Sequence, residues 1–159
     1  MRGRRGTKKV STPMRFRPKS LTMLQNLEDW RAKAFMDPND GWTIGWGRMQ
    51  NVKEGDTTTK AKETKWMTEY IEHLEEFMKG MVRVPLNDQQ HDAMVIFIYN
   101  IGTGQFVNST LRRRLNEGVY GEVPAQMARW IYDDGVVVPG LMIRRAYTIR
   151  LWQSDLVKK

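Results

Sequence analysis

Residues 28–47 read EDWRAKAFMDPNDGWTIGWG, and this stretch decides how the rest of the chain is arranged. Ahead of it, Leu21, Leu24 and Leu27 keep the three-to-four spacing of a helix face. After Asp37, Pro38-Asn39-Asp40-Gly41 is turn chemistry: proline fixes φ, and glycine admits the positive φ that other residues avoid. Trp42-Thr43-Ile44-Gly45-Trp46-Gly47 then reads as a short strand of aromatic, β-branched and glycine residues. The pattern predicts Glu28 at a helix end, Asp37 at the turn of a hairpin and Thr43 within it. Three elements can then aim their side chains at one cleft.

A glutamate and an aspartate held in unlike surroundings suit glycoside hydrolysis. One carboxyl keeps its proton near neutral pH and gives it to the leaving oxygen; the other is ionised and acts on water or on the sugar. Burial favours the protonated form, so Glu28, between Leu27 and Trp30, is the candidate acid, and Asp37, in a polar turn, is the candidate base. Residue type alone does not carry this reading. The chain has 18 acids, and any two of them nine positions apart would satisfy it equally as part of a solvated face.

A longer pattern narrows the choice. Glu28, eight residues, Asp37, five residues and Thr43, followed by Ile44-Gly45-x-Gly47, resembles the catalytic signature of the phage-type lysozymes, or endolysins (glycoside hydrolase family 24). Further segments follow in that family's order. They are Val84-Pro85-Leu86 with Asp88-Gln89-Gln90-x-Asp92-Ala93, then Tyr99-Asn100-Ile101-Gly102 with Phe106 and Asn108-Ser109-Thr110-Leu111, then Arg129-Trp130, and Gly140-Leu141-x-x-Arg144-Arg145. The resemblance spans roughly residues 21–152. It implies an α+β lysozyme-like fold that is mostly helical, with a small hairpin-containing lobe joined by a long helix to a larger helical lobe.

The resemblance also implies a muramidase that cuts the β-1,4 bond between N-acetylmuramic acid and N-acetylglucosamine in peptidoglycan and lyses the host cell. Glu28 is then the general acid, Asp37 the base or electrostatic stabiliser, and Thr43 the residue that positions water. Trp42, Tyr99, Asn100, Arg144 and Arg145 become candidate substrate contacts, and no cofactor is needed. Two positions depart from the family pattern. Asp29 stands where a glycine is usual, and Arg48 where a histidine is usual. Arg48 close to Glu28 would favour its ionised form, while Asp29 would oppose ionisation. Thr148 also occupies a place where many members carry glutamate. The alternative reading is a non-catalytic peptidoglycan-binding or virion structural protein with the same fold.

At 159 residues, with 40% hydrophobic residues and six tryptophans, the chain is long enough for one domain with a core. It has no cysteine, so neither disulfides nor thiolate chemistry are available, and two isolated histidines do not make a metal site. The formal net charge of +8 is unevenly placed: residues 1–19 hold eight basic side chains and no acid, leaving the remainder formally neutral. Residues 1–19 therefore read as a disordered basic arm and residues 20–159 as the catalytic domain. The arm suits an anionic envelope polymer or membrane surface, or serves only as a solubilising leader. Without an aromatic ladder no specific nucleic-acid partner is expected. No apolar run has the length of a secretory signal or a transmembrane helix, which points to the host cytoplasm before lysis. Monomer is the expected state.

Caps and periodicity supply the remaining elements. Ser20 is the expected N-cap of a first helix over residues 21–28. Thr59 caps a long helix with Trp66, Met67, Tyr70, Ile71, Leu74, Phe77, Met78 and Met81 inward. Glu72, Glu75, Glu76 and Lys79 are expected on its solvated side. Asn87-x-x-Gln90 is a capping box before the apolar run 93–99, the expected central helix. Leu111 to Leu115 carries three consecutive arginines, read as an exposed basic face because they spread over most of a helical turn. Pro124 begins another helix, residues 133–139 form a turn with a small loop or strand pair, and a last helix covers residues 140–153 with Leu141, Ile149, Leu151 and Trp152 inward.

Overall fold

A computed structural model describes residues 15–154. Its helices are α1 (Pro18–Leu27), α2 (Lys60–Met81), α3 (Asp88–Ile101), α4 (Thr103–Val107), α5 (Thr110–Asn116), α6 (Val123–Ala128) and α7 (Pro139–Gln153). Two hairpins, β1 (Arg31–Asp37) with β2 (Gly41–Gly45) and β3 (Tyr132–Asp133) with β4 (Val136–Val137), complete the expected α+β arrangement.

The first helix starts earlier than Ser20. Pro18 sits at its first position, where a missing N–H costs nothing, and Arg17 is the N-cap residue. Ser20 lies inside the helix, buried, and its hydroxyl donates to Asp92 Oδ2 at 2.6 Å. The residues before it are built into the body as well. Phe16 is 2% exposed and joins the core. Arg17 Nε donates to the same Asp92 oxygen at 2.6 Å. Arg15, Phe16 and Arg17 thus pack with the folded body, and Pro18 and Lys19, both exposed, open α1. The rest of the expected arm, residues 1–14, lies outside the described residues.

Helix α2 is the connecting rod, 22 residues long, or about 33 Å at the helical rise. Thr59 accepts the backbone N–H of Lys62, as expected of its cap, and Met67, Ile71, Leu74 and Met78 form the buried stripe. Glu75 is buried too, not solvated. It stands four residues after Ile71 and three before Met78, so the helical period itself places it on the inner face. There it accepts the backbone N–H groups of Arg15 (3.1 Å) and Phe16 (2.8 Å), and His91 Nε2 lies 3.2 Å from its Oε1. Burial raises the Glu75 carboxyl above its ordinary pKa, with His91 opposing that shift. His91 Nδ1 faces Asp92 Oδ1 at 3.3 Å, so one imidazole spans two carboxylates beneath the N-terminal segment.

The Asn87/Gln90 capping box is present, and Ala93 to Ile98 of α3 are all buried. Packing on all sides makes α3 the centre of the large lobe, with α7 as its most extensive neighbour. On α7 the fully buried residues are Arg145, Thr148 and Trp152. Leu141, Ile149 and Leu151 are only half-buried, so polar side chains lead its inner face. Among the described residues no helix is long and apolar enough to cross a membrane.

Candidate active site

Glu28 is the C-cap residue of α1, and its backbone N–H donates to Leu24 O at 3.1 Å. Leaving the helix there turns the side chain toward α7, where Arg144 grips the helix end. Arg144 Nε donates to Leu27 O at 3.0 Å, and its Nη2 lies 3.3 Å from Glu28 Oε2. The Glu28 side chain is 12% exposed. Burial raises its pKa; Arg144 opposes the rise, Asp29 adds to it, and Arg145 opposes it more weakly. A carboxyl that holds its proton to higher pH, with a guanidinium ready to stabilise the anion once the proton leaves, is equipped to be a general acid.

Asp37 ends β1. Its Oδ1 accepts the N–H groups of Asn39 (2.8 Å) and Asp40 (3.2 Å), closing the turn and leaving Oδ2 outside that turn network. It pairs in register with Gly41, whose φ of 81° is the positive value the turn requires. The Gly41 carbonyl in turn accepts the Thr43 hydroxyl at 3.0 Å. Thr43 is buried and its proton is committed to that carbonyl, so its oxygen is oriented to accept a bond from water. Asp37 and Thr43 thus belong to one rigid hairpin end, whereas Glu28 is delivered separately by α1 and α7. No hydrogen bond joins Glu28 to either of them among the described residues.

The remaining candidates divide. Trp42, opposite Met36 in the hairpin, is half-buried. The Tyr99 hydroxyl donates to Trp46 O at 2.9 Å, tying the core helix to the hairpin, and burial pushes that phenol's pKa upward. Asn100 Oδ1 accepts from Arg145 Nη2, and Arg145 Nε donates to Trp130 O at 2.8 Å. Arg145 is buried against the Phe97 ring, and burial, aided by Arg144 beside it, pulls its pKa down to about 10. Among the described residues, buried Arg145 Nη1 has no hydrogen-bond partner. Of the two arginines, then, Arg144 touches Glu28, and Arg145 is bonded to Asn100 and Trp130.

Arg48 does not sit on Glu28. Its Nε and Nη2 make a two-pronged bond to Glu63 at 2.9 and 2.8 Å, and its Nη1 donates to Gln50 O at 2.9 Å. Thr58 also donates to Glu63 Oε1, at 2.5 Å. Burial would raise the Glu63 carboxyl, but these bonds outweigh it and hold the pKa below its ordinary value. This buried hub underlies the hairpin. A Cβ built on Gly45 (φ 64°) would lie 2.6 Å from Glu63 Cγ, so β2 closes on Glu63 only where the side chain is absent. A glycine inside a strand is the kind of local signal that can mark such a close approach, and nothing nearby in the sequence names Glu63 as the neighbour. Asn39 Nδ2 also donates to Asp133 Oδ2 at 3.2 Å, joining the tips of the two hairpins.

The family model described as Phage lysozyme matches residues 25–148. An endolysin of Acyrthosiphon pisum secondary endosymbiont phage 1 is 30% identical over 145 residues, covering 89% of this chain and 99% of the relative. Among solved structures, the muramidase domain of SpmX from Asticaccaulis excentricus superposes with a TM-score of 0.79 at 29% identity, over 86% of this chain and 96% of that one. A P22 lysozyme mutant superposes at 0.72 and 32% identity, over 88% and 99%.

Proposed function

Because the chain belongs to the phage lysozyme family, we propose that it cuts the β-1,4 bond between N-acetylmuramic acid and N-acetylglucosamine, with Glu28 as the proton donor. The chain is a glycoside hydrolase of the lysozyme type, and its role is lytic, on peptidoglycan. The finer assignment to bond and residues rests above all on the Glu28 carboxyl, buried at a helix end with its pKa raised and Arg144 3.3 Å away.

In this mechanism protonated Glu28 delivers its proton to the glycosidic oxygen as the C–O bond breaks. Arg144 then stabilises the carboxylate that remains. Asp37, with Oδ2 outside its turn network, directs water to the anomeric carbon or stabilises the oxocarbenium charge. Thr43 accepts a bond from that water, its own proton being fixed on Gly41 O. Trp42 offers its half-exposed ring to a sugar face. Tyr99, Asn100 and Arg145, already bonded within the protein, shape the wall rather than reach for the ligand. The basic residues of positions 1–19 are assigned to an anionic envelope polymer or membrane surface, and the enzyme to the host cytoplasm until lysis.

Borohydride reduction and mass spectrometry of digested peptidoglycan test the bond. Reduced muramic acid at the new ends is the expected product. Reduced glucosamine there would mean that the other glycosidic bond is cut.

A further inference from the structure

The three consecutive arginines of α5 do three different things. Arg114 turns to Glu117 (3.1 Å) and Glu122 (2.9 Å). Arg112 is pinned by Nε to Met81 O (3.1 Å) and by Nη1 to Val107 O (3.3 Å), and its Nη2 makes no hydrogen bond among the described residues. Arg113 has no acid within ion-pair distance among the described residues, nor has Arg83 on the segment between α2 and α3. Arg83, Arg112 and Arg113 line one concavity of about 620 Å³, together with Thr110 and Asn116.

The walls of this concavity are fixed. Asn116 Oδ1 accepts the backbone N–H of Arg83 at 2.8 Å, and its Nδ2 donates to Met81 O at 2.9 Å, clamping α5 to the end of α2. Glu117, the acid on the rim, is occupied by Arg114. Three arginines from two chain segments therefore line one space whose single lining acid, Glu117, is already paired with Arg114. A single arginine fork saturates the two coplanar oxygens of a carboxylate. Several forks with the Thr110 hydroxyl suit the three or four oxygens of a tetrahedral anion.

We propose that the concavity between α5 and the α2–α3 connection, lined by Arg83, Arg112 and Arg113, is a binding site for a phosphate group. It holds the enzyme on a phosphate-bearing component of the envelope, away from the hydrolytic residues. The inference does not depend on the role given to Glu28.

Calorimetric titration of the full chain with inorganic pyrophosphate at physiological salt tests this. Native protein binds at one site. Arg83→Gln/Arg113→Gln weakens binding at least about tenfold, the loss expected from charge-assisted bonds, with an unchanged circular dichroism spectrum. Lys65→Gln/Arg150→Gln, which removes equal charge elsewhere, stays within about twofold of native by the same reasoning. Co-sedimentation with phosphatidylglycerol vesicles identifies the source. If the arginine variant loses vesicle retention the phosphate is a lipid headgroup; if it loses only pyrophosphate binding the phosphate is not lipid-borne. The proposal is overturned if both double variants bind pyrophosphate alike, or if acetate binds native protein as tightly as pyrophosphate.

Discussion

Arg48→Met isolates the buried hub beneath the β1–β2 hairpin. The substitution keeps most of the side-chain volume and removes both bonds to Glu63, whose side chain is 1% exposed against 13% for Arg48. A carboxylate stranded in that position costs about 3–5 kcal/mol, whereas an exposed ion pair contributes about 0–1 kcal/mol. For a fold of this size the lower figure corresponds to a fall in Tm of roughly 6–12 °C. Urea denaturation at neutral pH reads the loss directly.

A pH series gives a second readout. Glu63 has a depressed pKa in the native state, so its stabilisation is complete above the unfolded value and is lost as pH falls through the folded value. In Arg48→Met that acid-side loss flattens or reverses, because the stranded carboxyl gains by taking up a proton. A loss below about 1 kcal/mol with an unchanged acid limb would refute the reasoning, since the pair would then be behaving as a surface one.

Four other substitutions test contacts elsewhere in the fold. Arg144→Met removes the charge that opposes Glu28's raised pKa, so the alkaline limb of hydrolysis moves to higher pH; Asp29→Asn removes a charge that raises it and moves the limb down. Initial-rate profiles on purified peptidoglycan should show the two shifts in opposite senses. Gly45→Ala combines a positive φ with a 2.6 Å clash against Glu63 and is expected to cost about 2–4 kcal/mol in a denaturant melt. Phe16→Ala should cost about 3–5 kcal/mol, as for a core aromatic. A near-zero cost would return residues 15–19 to a basic arm.

Much of the fold was legible because its signals are local. Thr59 and the Asn87/Gln90 pair announce their helices within four residues, and Pro38 to Gly41 announces the turn that presents Asp37 and Thr43. The misreadings share one cause, which is that charged and polar side chains were assigned to solvent or to sequence neighbours. Arg17 and Ser20 find Asp92 more than 70 positions away. Glu75 takes backbone groups about 60 positions away, and Arg48 prefers Glu63 to the nearer hairpin. Composition weighed the basic residues of positions 15–19 as an arm because a charge count does not register that Phe16 is buried. The helical period had already placed Glu75 between Ile71 and Met78; the residue type argued against it, and the period was the better guide.

The central claim is that Glu28 supplies the proton. Release of new reducing ends from purified peptidoglycan by native protein and by Glu28→Gln, which keeps the shape and removes the acid, tests it most directly. Since Glu28's raised pKa means that its charge is disfavoured in the fold, the variant should be at least as stable as native at neutral pH, and a lost rate is then a lost function. A fall of roughly 10²–10⁴-fold is predicted, the usual contribution of a general acid. Hydrolysis by Glu28→Gln within a few-fold of native would contradict the account.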